Sequence, residues 1–176
     1  MIITGSVILV IVYLVCAVIL LSALWGAWSA APWVPTFGKD TKRMVDLAQI
    51  KKGDIVYDLG SGDGRLVFGA VSRGATGTGI EIFILPWLYS WIKSFFHPGA
   101  KMILGDMFKK NISDANVVFI YLLDKSYGRL MKKFEKELKP GTKIIVGCWP
   151  IKELESKLIK KDKPTNRDLA MYVYEM

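Results

Sequence analysis

The first 38 residues contain no Asp, Glu, Lys or Arg, so that all 24 basic and all 16 acidic residues lie between residues 39 and 176. Within this stretch, Ile2 to Leu24 is almost wholly apolar, with only Thr4, Ser6 and Ser22 as polar exceptions. As a helix it would span about 35 Å, which is enough to cross a hydrocarbon core of about 30 Å. The split predicts one apolar leader joined to one globular domain, and argues against a disordered, fibrous or multi-span chain.

Two other interpretations of the leader fit less well. A secretory signal peptide would have a basic start and an apolar core of about 7–15 residues, whereas this leader is longer and has no early Lys or Arg. A buried core helix is the other alternative. Tryptophans at 25, 28 and 33 suit the membrane interface, and the first basic residues follow at Lys39, Lys42 and Arg43. We expect a transmembrane anchor over residues 1–31 and a domain over 32–176. The short N-terminus would lie outside and the domain in the cytoplasm.

From residue 39 onward, short apolar runs alternate with amphipathic ones. This alternation predicts an α/β fold, with a parallel sheet covered by helices on both faces. The predicted strands are 55–59, 77–82, 101–104, 117–122 and 143–147, followed by closing strands at 154–160 and 169–174. The predicted helices are 40–48, 65–72, 85–96 and 126–138.

Cysteine and histidine are too few for several kinds of site. Cys16 lies in the leader and Cys148 in the domain, so we expect no disulfide between them. His97 is the only histidine, which excludes a triad or a metal cluster built on histidine. We therefore predict no metal site.

A glycine-rich turn follows the first predicted strand. The run Gly60-Ser61-Gly62-Asp63-Gly64 precedes a predicted helix, and Asp58 stands just before it. Glycines let the backbone approach a ligand closely at such a turn. A dinucleotide fingerprint would need a third glycine where Arg65 stands. Glu81 ends the second strand, where an acid can accept bonds from ribose hydroxyls. Asp106 follows the third strand, in reach of an adenine amino group.

These residues resemble a known family. Asp58 to Arg65, Gly79-Ile80-Glu81 and Gly105-Asp106 are similar to the motifs of class I S-adenosylmethionine-dependent methyltransferases. The resemblance covers most of residues 34–148 and implies a Rossmann-like sheet. It also implies that Asp58, Gly60, Ser61 and Gly62 bind the methionine part of S-adenosyl-L-methionine. Glu81 would hold the ribose, while Asp106 and Met107 would border the adenine.

A narrower resemblance follows from the leader, from Val34-Pro35-Thr36 before the first domain helix, and from the Tyr121-Leu122-Leu123 strand end. Together they resemble the small membrane-anchored protein lysine methyltransferases, which act on the adenine nucleotide translocase or on the c-ring protein of ATP synthase. That family implies Thr36 near the cofactor and an acceptor lysine at the fourth strand's end. Two departures, the apolar run after Glu81 and the lack of proline near Asp124, concern the acceptor.

Two residues at the end of the fourth strand are candidates for the acceptor side. Asp124 would orient the acceptor ammonium, with N-capping of the following helix as the alternative. Tyr121 would form a wall of the site, with a place in the core as the alternative. A metal is not needed for this chemistry, because the methyl group arrives on a sulfonium and lysine must mainly be aligned and deprotonated.

The segment 83–96 has a single charge, at Lys93. A helix over a sheet needs one apolar stripe, for which Leu88, Ile92 or Trp91, and Phe95 would serve. Trp87 and Phe96 would remain exposed. We expect them to touch the membrane interface or the substrate, unless the helix simply has a broad core face.

The sequence therefore predicts a membrane-anchored methyltransferase that modifies a lysine of a membrane protein. Methylation of a lipid or small molecule is one alternative, and a non-catalytic cofactor-binding module is another. The formal net charge is +8, but the basic residues are scattered doublets, so we predict no nucleic-acid partner.

Overall fold

The computed structural model describes the backbone of residues 2–29 and 38–176, and the side chains of residues 5–24 and 38–176. Within these ranges the chain forms α-helices of 7 to 28 residues and two short 3₁₀ helices. The α-helices are α1 (Ile2–Ser29), α2 (Gly38–Ala48), α3 (Arg65–Val71), α4 (Ile84–Ser94) and α5 (Tyr127–Glu137). The 3₁₀ helices are Asp124–Ser126 and Lys152–Lys157.

One seven-stranded sheet organises the domain, with the order β3-β2-β1-β4-β5-β7-β6. Strands β1 to β5 pair in parallel, and β7 runs antiparallel to both β5 and β6. The strands are β1 (Ile55–Leu59), β2 (Thr76–Glu81), β3 (Ala100–Leu104), β4 (Val117–Ile120), β5 (Lys143–Gly147), β6 (Leu158–Asp162) and β7 (Met171–Glu175). The predicted Rossmann-like α/β fold is confirmed.

Helices cover both faces of this sheet. On one face, Met44 and Val45 of α2 and Leu66 of α3 pack on inward-facing strand residues. On the other, α5 inserts Leu130 and Phe134, both fully buried. The spacing of these two residues places them on one side of a helix, and α5 presents the face that its sequence predicts.

The helix α1 contains the stretch Gly5–Leu24, the one segment among the described residues that is long and apolar enough to cross a membrane. Its apolar side chains are largely exposed, as illustrated by Leu9 at 71% and Tyr13 at 74%. This helix also contacts α4.

Two sequence expectations are wrong in detail. Residues 154–157 form part of a 3₁₀ helix, and the strand predicted there begins only at Leu158. Helix α4 turns a different side to the sheet than expected. Pro86 and Ser90 are its buried residues, while Leu88, Ile92 and Phe95 are exposed. Small residues permit close approach to the sheet, and the Ser90 hydroxyl is satisfied by donating to the Trp87 carbonyl at 2.9 Å.

Candidate functional site

The glycine-rich turn lies at the carboxyl edge of the sheet, between β1 and α3. There β1 is flanked by β2 and β4, so the strand order reverses beside it. Parallel α/β sheets bind ligands in the crevice at this reversal. The turn, the end of β2 and the end of β4 therefore belong to one candidate site.

The backbone of this turn needs its glycines. Gly60, Gly62 and Gly64 have φ of 85°, 52° and 79°, in the left-handed region that favours glycine. The amides of Gly60 and Ser61 donate to the Ile80 carbonyl at 2.9 and 3.1 Å, which ties the turn to β2. The Gly64 carbonyl accepts from the Phe68 amide at 2.9 Å and so joins the turn to α3.

Glu81 fixes the same turn from the end of β2. One carboxylate oxygen accepts from the Gly62 amide at 2.7 Å. The other accepts from the amides of Ile82 and Phe83, both at 2.8 Å. Burial raises the pKa of Glu81, against the three amide donors, which act to lower it. Glu81 is therefore a structural support of the loop as well as a candidate ligand residue.

Asp58 is the most deeply buried acid of the site. Its residue is 3% exposed, at the end of β1. Burial, together with the nearby charges of Glu81 and Asp63, raises the pKa of Asp58 to about 8. A carboxyl group among other acids, shielded from water, is an environment that favours a cationic ligand group.

Ser61 and Gly79 show that the turn has little spare room for protein atoms but does offer a polar contact. The Ser61 hydroxyl is buried and has no hydrogen-bond partner in the described part of the chain. A Cβ on Gly79 would lie 2.6 Å from that hydroxyl oxygen. An amino-acid ligand, with its ammonium and carboxylate, fits a turn that presents a buried acid and an orphaned hydroxyl.

Asp63 and Arg65 form an ion pair within the turn. The Arg65 Nε donates to Asp63 Oδ1 at 2.8 Å. Although burial acts to raise it, the hydrogen bonds and charge of Arg65 lower the pKa of Asp63. Arg65, which stands where a dinucleotide fingerprint would have glycine, instead stabilises the loop.

The remaining predicted ligand residues lie after β3 or outside the described chain. Asp106 is half-buried, and its carboxylate accepts from the Phe108 amide at 2.9 Å. The Gly105 amide donates to the Glu81 carbonyl at 2.8 Å, which joins this segment to the end of β2. Met107 is buried in the core cluster that includes Leu59 and Ile80. Thr36 lies outside the described residues.

The two acceptor-side candidates follow β4. Asp124 is exposed and is the first residue of the 3₁₀ helix, whose N-cap is Leu123. The N-cap alternative for Asp124 is therefore wrong. Tyr121 is half-buried, and it packs against the core on the α2 side of the sheet. Burial, the hydrogen bond with Cys148 and the charge of Asp40 raise the pKa of Tyr121 to about 12, so its phenol is neutral near pH 7.

Two further residues at this edge were not selected from the sequence. Cys148 follows β5 with a φ of 73°, unusual outside glycine. Its thiol donates to the Tyr121 hydroxyl over 3.7 Å. Trp149 is 51% exposed, and its carbonyl accepts from the Tyr127 hydroxyl at 2.9 Å. The one available signal was position, because both residues directly follow a predicted parallel strand.

Within the residues that the structure describes, no group of three or more His, Cys, Asp or Glu side chains is arranged to hold a metal ion. Cys16 and Cys148 are both free thiols.

Comparison with known proteins assigns the domain to a family. The family model described as the ANTKMT methyltransferase domain matches residues 58–158. A protein-lysine N-methyltransferase of Saccharolobus islandicus is 35% identical over 148 residues, which cover 81% of this chain and 92% of that protein. The human lysine N-methyltransferase named for the C component of ATP synthase is 33% identical over 124 residues, which cover 68% of this chain. The match spans 52% of the human protein, about half its length.

Solved structures give the same fold. An RNA methyltransferase from Salinibacter ruber, in complex with S-adenosyl-L-homocysteine, aligns with a TM-score of 0.73 and 29% identity. The alignment covers 81% of this chain and 93% of that one. The C-terminal domain of a precorrin-6Y methyltransferase from Rhodobacter capsulatus aligns with a TM-score of 0.61, at 15% identity, and shows the likeness of fold alone.

Proposed function

Since the chain belongs to the ANTKMT methyltransferase domain family, and so to the S-adenosylmethionine-dependent protein-lysine N-methyltransferases, we propose that it is anchored in a membrane and methylates a lysine of a membrane protein. One observation carries the proposal. A single chain combines the glycine turn and its buried acids with an apolar helix whose side chains are exposed. A long, uncharged, exposed helix is stable in lipid rather than in water.

The proposed division is an anchor over residues 1–31 and a catalytic domain over residues 32–176. The basic residues that follow the anchor, Lys39, Lys42 and Arg43, support a cytoplasmic domain under the positive-inside rule. Such an anchor would raise the concentration of the active site near membrane-embedded acceptors.

The residues of the turn would hold the cofactor. Asp58 would pair with the ammonium group, and the Ser61 hydroxyl would donate to the carboxylate of the methionine part. Glu81 would accept from the ribose while it supports the loop, and Asp106 with Met107 would border the adenine. Thr36 would lie near the cofactor. The bound cofactor supplies a methyl group on a sulfonium, which is already electrophilic.

The residues after β4 and β5 would receive the acceptor. An acceptor lysine must lose a proton, and an apolar approach lowers its pKa from about 10.4. Asp124 would orient the ammonium, and Tyr121, a neutral phenol, would form a wall. Asp124 is exposed, as are Leu123 at 37% and Trp149 at 51%. An edge this open favours a protein side chain over a small molecule, which would need a closed pocket.

The class of acceptor is tested by following the methyl group. Purified full-length protein is incubated with its native membranes, total cellular RNA and methyl-labelled S-adenosylmethionine, and the protein, lipid and RNA fractions are counted separately. We expect label in the protein fraction, as methyl-lysine. RNA is included because the relative from Salinibacter ruber is described as an RNA methyltransferase.

Two variants control this assay. Glu81→Ala removes the acceptor of three loop amides and should abolish the signal, whereas Glu135→Ala, on an exposed position of α5, should leave it unchanged. Label confined to lipid or RNA would contradict the proposal. Cofactor binding without any transfer would favour a non-catalytic binding module.

A further inference from the structure

Helix α4 carries an exposed apolar stripe along the side that faces away from the sheet. Its residues recur at helical spacings of three and four, so they share one face of the helix. The stripe consists of Leu85, Leu88, Tyr89, Ile92, Phe95 and Phe96, which are 39–79% exposed. Contiguous apolar surface of this kind marks a contact with a membrane or a partner.

The inward side of α4 explains why the stripe is left outside. Pro86 and Ser90 are the residues buried against the domain. Trp87 is half-buried, packs near Val67, Phe68 and Met102, and donates from its indole to the Met102 carbonyl at 3.3 Å. The domain core is therefore completed by smaller residues and one tryptophan, and it does not use the larger apolar side chains of α4.

The position of α4 points to lipid as the partner. It contacts α1, the helix that contains the proposed membrane span. A bilayer around α1 would thus lie beside α4. Trp91, which is 40% exposed, is stacked on Trp87 with ring centroids 5.9 Å apart. Tryptophan and tyrosine are enriched where a membrane meets water.

The charges around the stripe suit an anionic membrane surface. Between Glu81 and Asp106 the chain carries two charged residues, Lys93 and Lys101, both basic. A cavity of about 460 Å³ opens between α2, α3 and α4. Four cations line it, with Asp63 as the one acid among its lining residues: Lys42, Arg65, Arg73 and Lys93. Basic groups near anionic headgroups each contribute about 1 kcal/mol.

We propose that α4 lies in the membrane interface, with its apolar stripe in the lipid and the basic cavity toward the headgroups. The inference rests on the proposed anchor and extends it, because the domain then has a second attachment and a fixed orientation. Since α4 begins three residues after Glu81, this contact also sets the distance between the bilayer and the candidate active site.

Spin labels on the full chain test this contact in vesicles of phosphatidylcholine and phosphatidylglycerol. One label is placed on Cys16 in a Cys148→Ala chain. Two further chains carry Cys16→Ala and Cys148→Ala, with the label on Ile92→Cys or on Lys132→Cys. Ile92 is in the stripe, and Lys132 is an exposed residue of α5 on the opposite face of the sheet. Collisions with oxygen, which dissolves in lipid, are compared with those of a water-soluble nickel complex.

We expect oxygen collisions to dominate severalfold at positions 16 and 92 and nickel collisions to dominate at position 132. Lipid exposure at 16 with water exposure at 92 would overturn this inference while leaving the anchor intact. A label at 92 shielded from both reagents would mean that protein covers the stripe, which also overturns it. Water exposure at both 16 and 92 would refute the anchor itself, and the inference with it.

Discussion

At the scale of single residues, Asp58 is the group whose state depends most on what the site binds. Its carboxyl is 3% exposed, and burial with the charges of Glu81 and Asp63 raises its pKa to about 8. In the free protein near pH 7 it therefore holds a proton. A cationic ligand group would favour the ionised form and release that proton, which links ligand affinity to pH.

We predict that the affinity for S-adenosylhomocysteine rises with pH. One proton is released from Asp58 on binding, so the dissociation constant should fall by up to about tenfold per pH unit between about pH 6 and pH 8. Asp58→Asn should bind more weakly and lose this dependence. Isothermal titration calorimetry at several pH values measures both effects.

Asp63→Asn is the matched control, because Arg65 lowers the pKa of Asp63 and keeps it ionised throughout this range. It should retain the pH slope. A second readout is the stability of the free protein. A raised pKa in the folded state means that stability is full at acid pH and is lost as pH rises through about 8. Asp58→Asn should therefore unfold at a higher temperature than the wild type at pH 8, and an equal or lower temperature would contradict the assignment.

At the scale of elements, the sequence determines the strands and the glycine turn more clearly than it determines which side of a helix is buried. Strand β1 was predicted at its observed bounds, because a short apolar run ends at an acid and a glycine turn. In α4 almost every residue is apolar, so periodicity could not distinguish the face that packs from the one that does not. That face is decided by close approach to β2 and β3, and there Pro86 and Ser90 fit.

The packing of β2 against the turn gives a prediction at this scale. A Cβ on Gly79 would clash with the Met102 methyl group and with the Ser61 hydroxyl. Gly79→Ala should lower the free energy of unfolding by about 1–3 kcal/mol, as overpacking does, and should weaken S-adenosylhomocysteine binding because Ser61 must move. Urea denaturation and calorimetry measure the two effects.

Gly128→Ala on α5 provides the comparison, since a Cβ there would have no atom within 4 Å. Replacing glycine in a helix should leave stability unchanged or raise it by up to about 1 kcal/mol, with no change in binding. Equal effects of the two substitutions would argue against a tight fit between β2 and the turn.

At the scale of the whole molecule, the division between an uncharged leader and a charged domain is the sequence feature with the widest consequences. The domain's fold and family were predictable, because the turn, Glu81 and Asp106 recur at the ends of successive strands. The acceptor edge was less predictable. Cys148 and Trp149 reach it through the pairing of β5 beside β4, which brings together residues distant in sequence. No local pattern marks such a meeting.

The division also implies that the anchor selects the acceptor. If the domain acts on membrane proteins because it is held beside them, removing the anchor should reduce methylation without altering the catalytic site. Ile11, in the middle of the Gly5–Leu24 stretch and 53% exposed, is the position for this test. An arginine at the centre of a membrane helix costs about 2.5–3.5 kcal/mol on insertion scales. Ile11→Leu preserves the apolar surface as a control.

The most direct test measures labelled methyl-lysine in membrane proteins when wild type, Ile11→Arg and Ile11→Leu are expressed in cells and supplied with labelled methionine. We predict a large loss of this label in Ile11→Arg, recovery of that protein in the soluble fraction, unchanged S-adenosylhomocysteine binding, and wild-type labelling in Ile11→Leu. Equal labelling of membrane proteins by soluble Ile11→Arg and by the wild type would contradict an anchored methyltransferase.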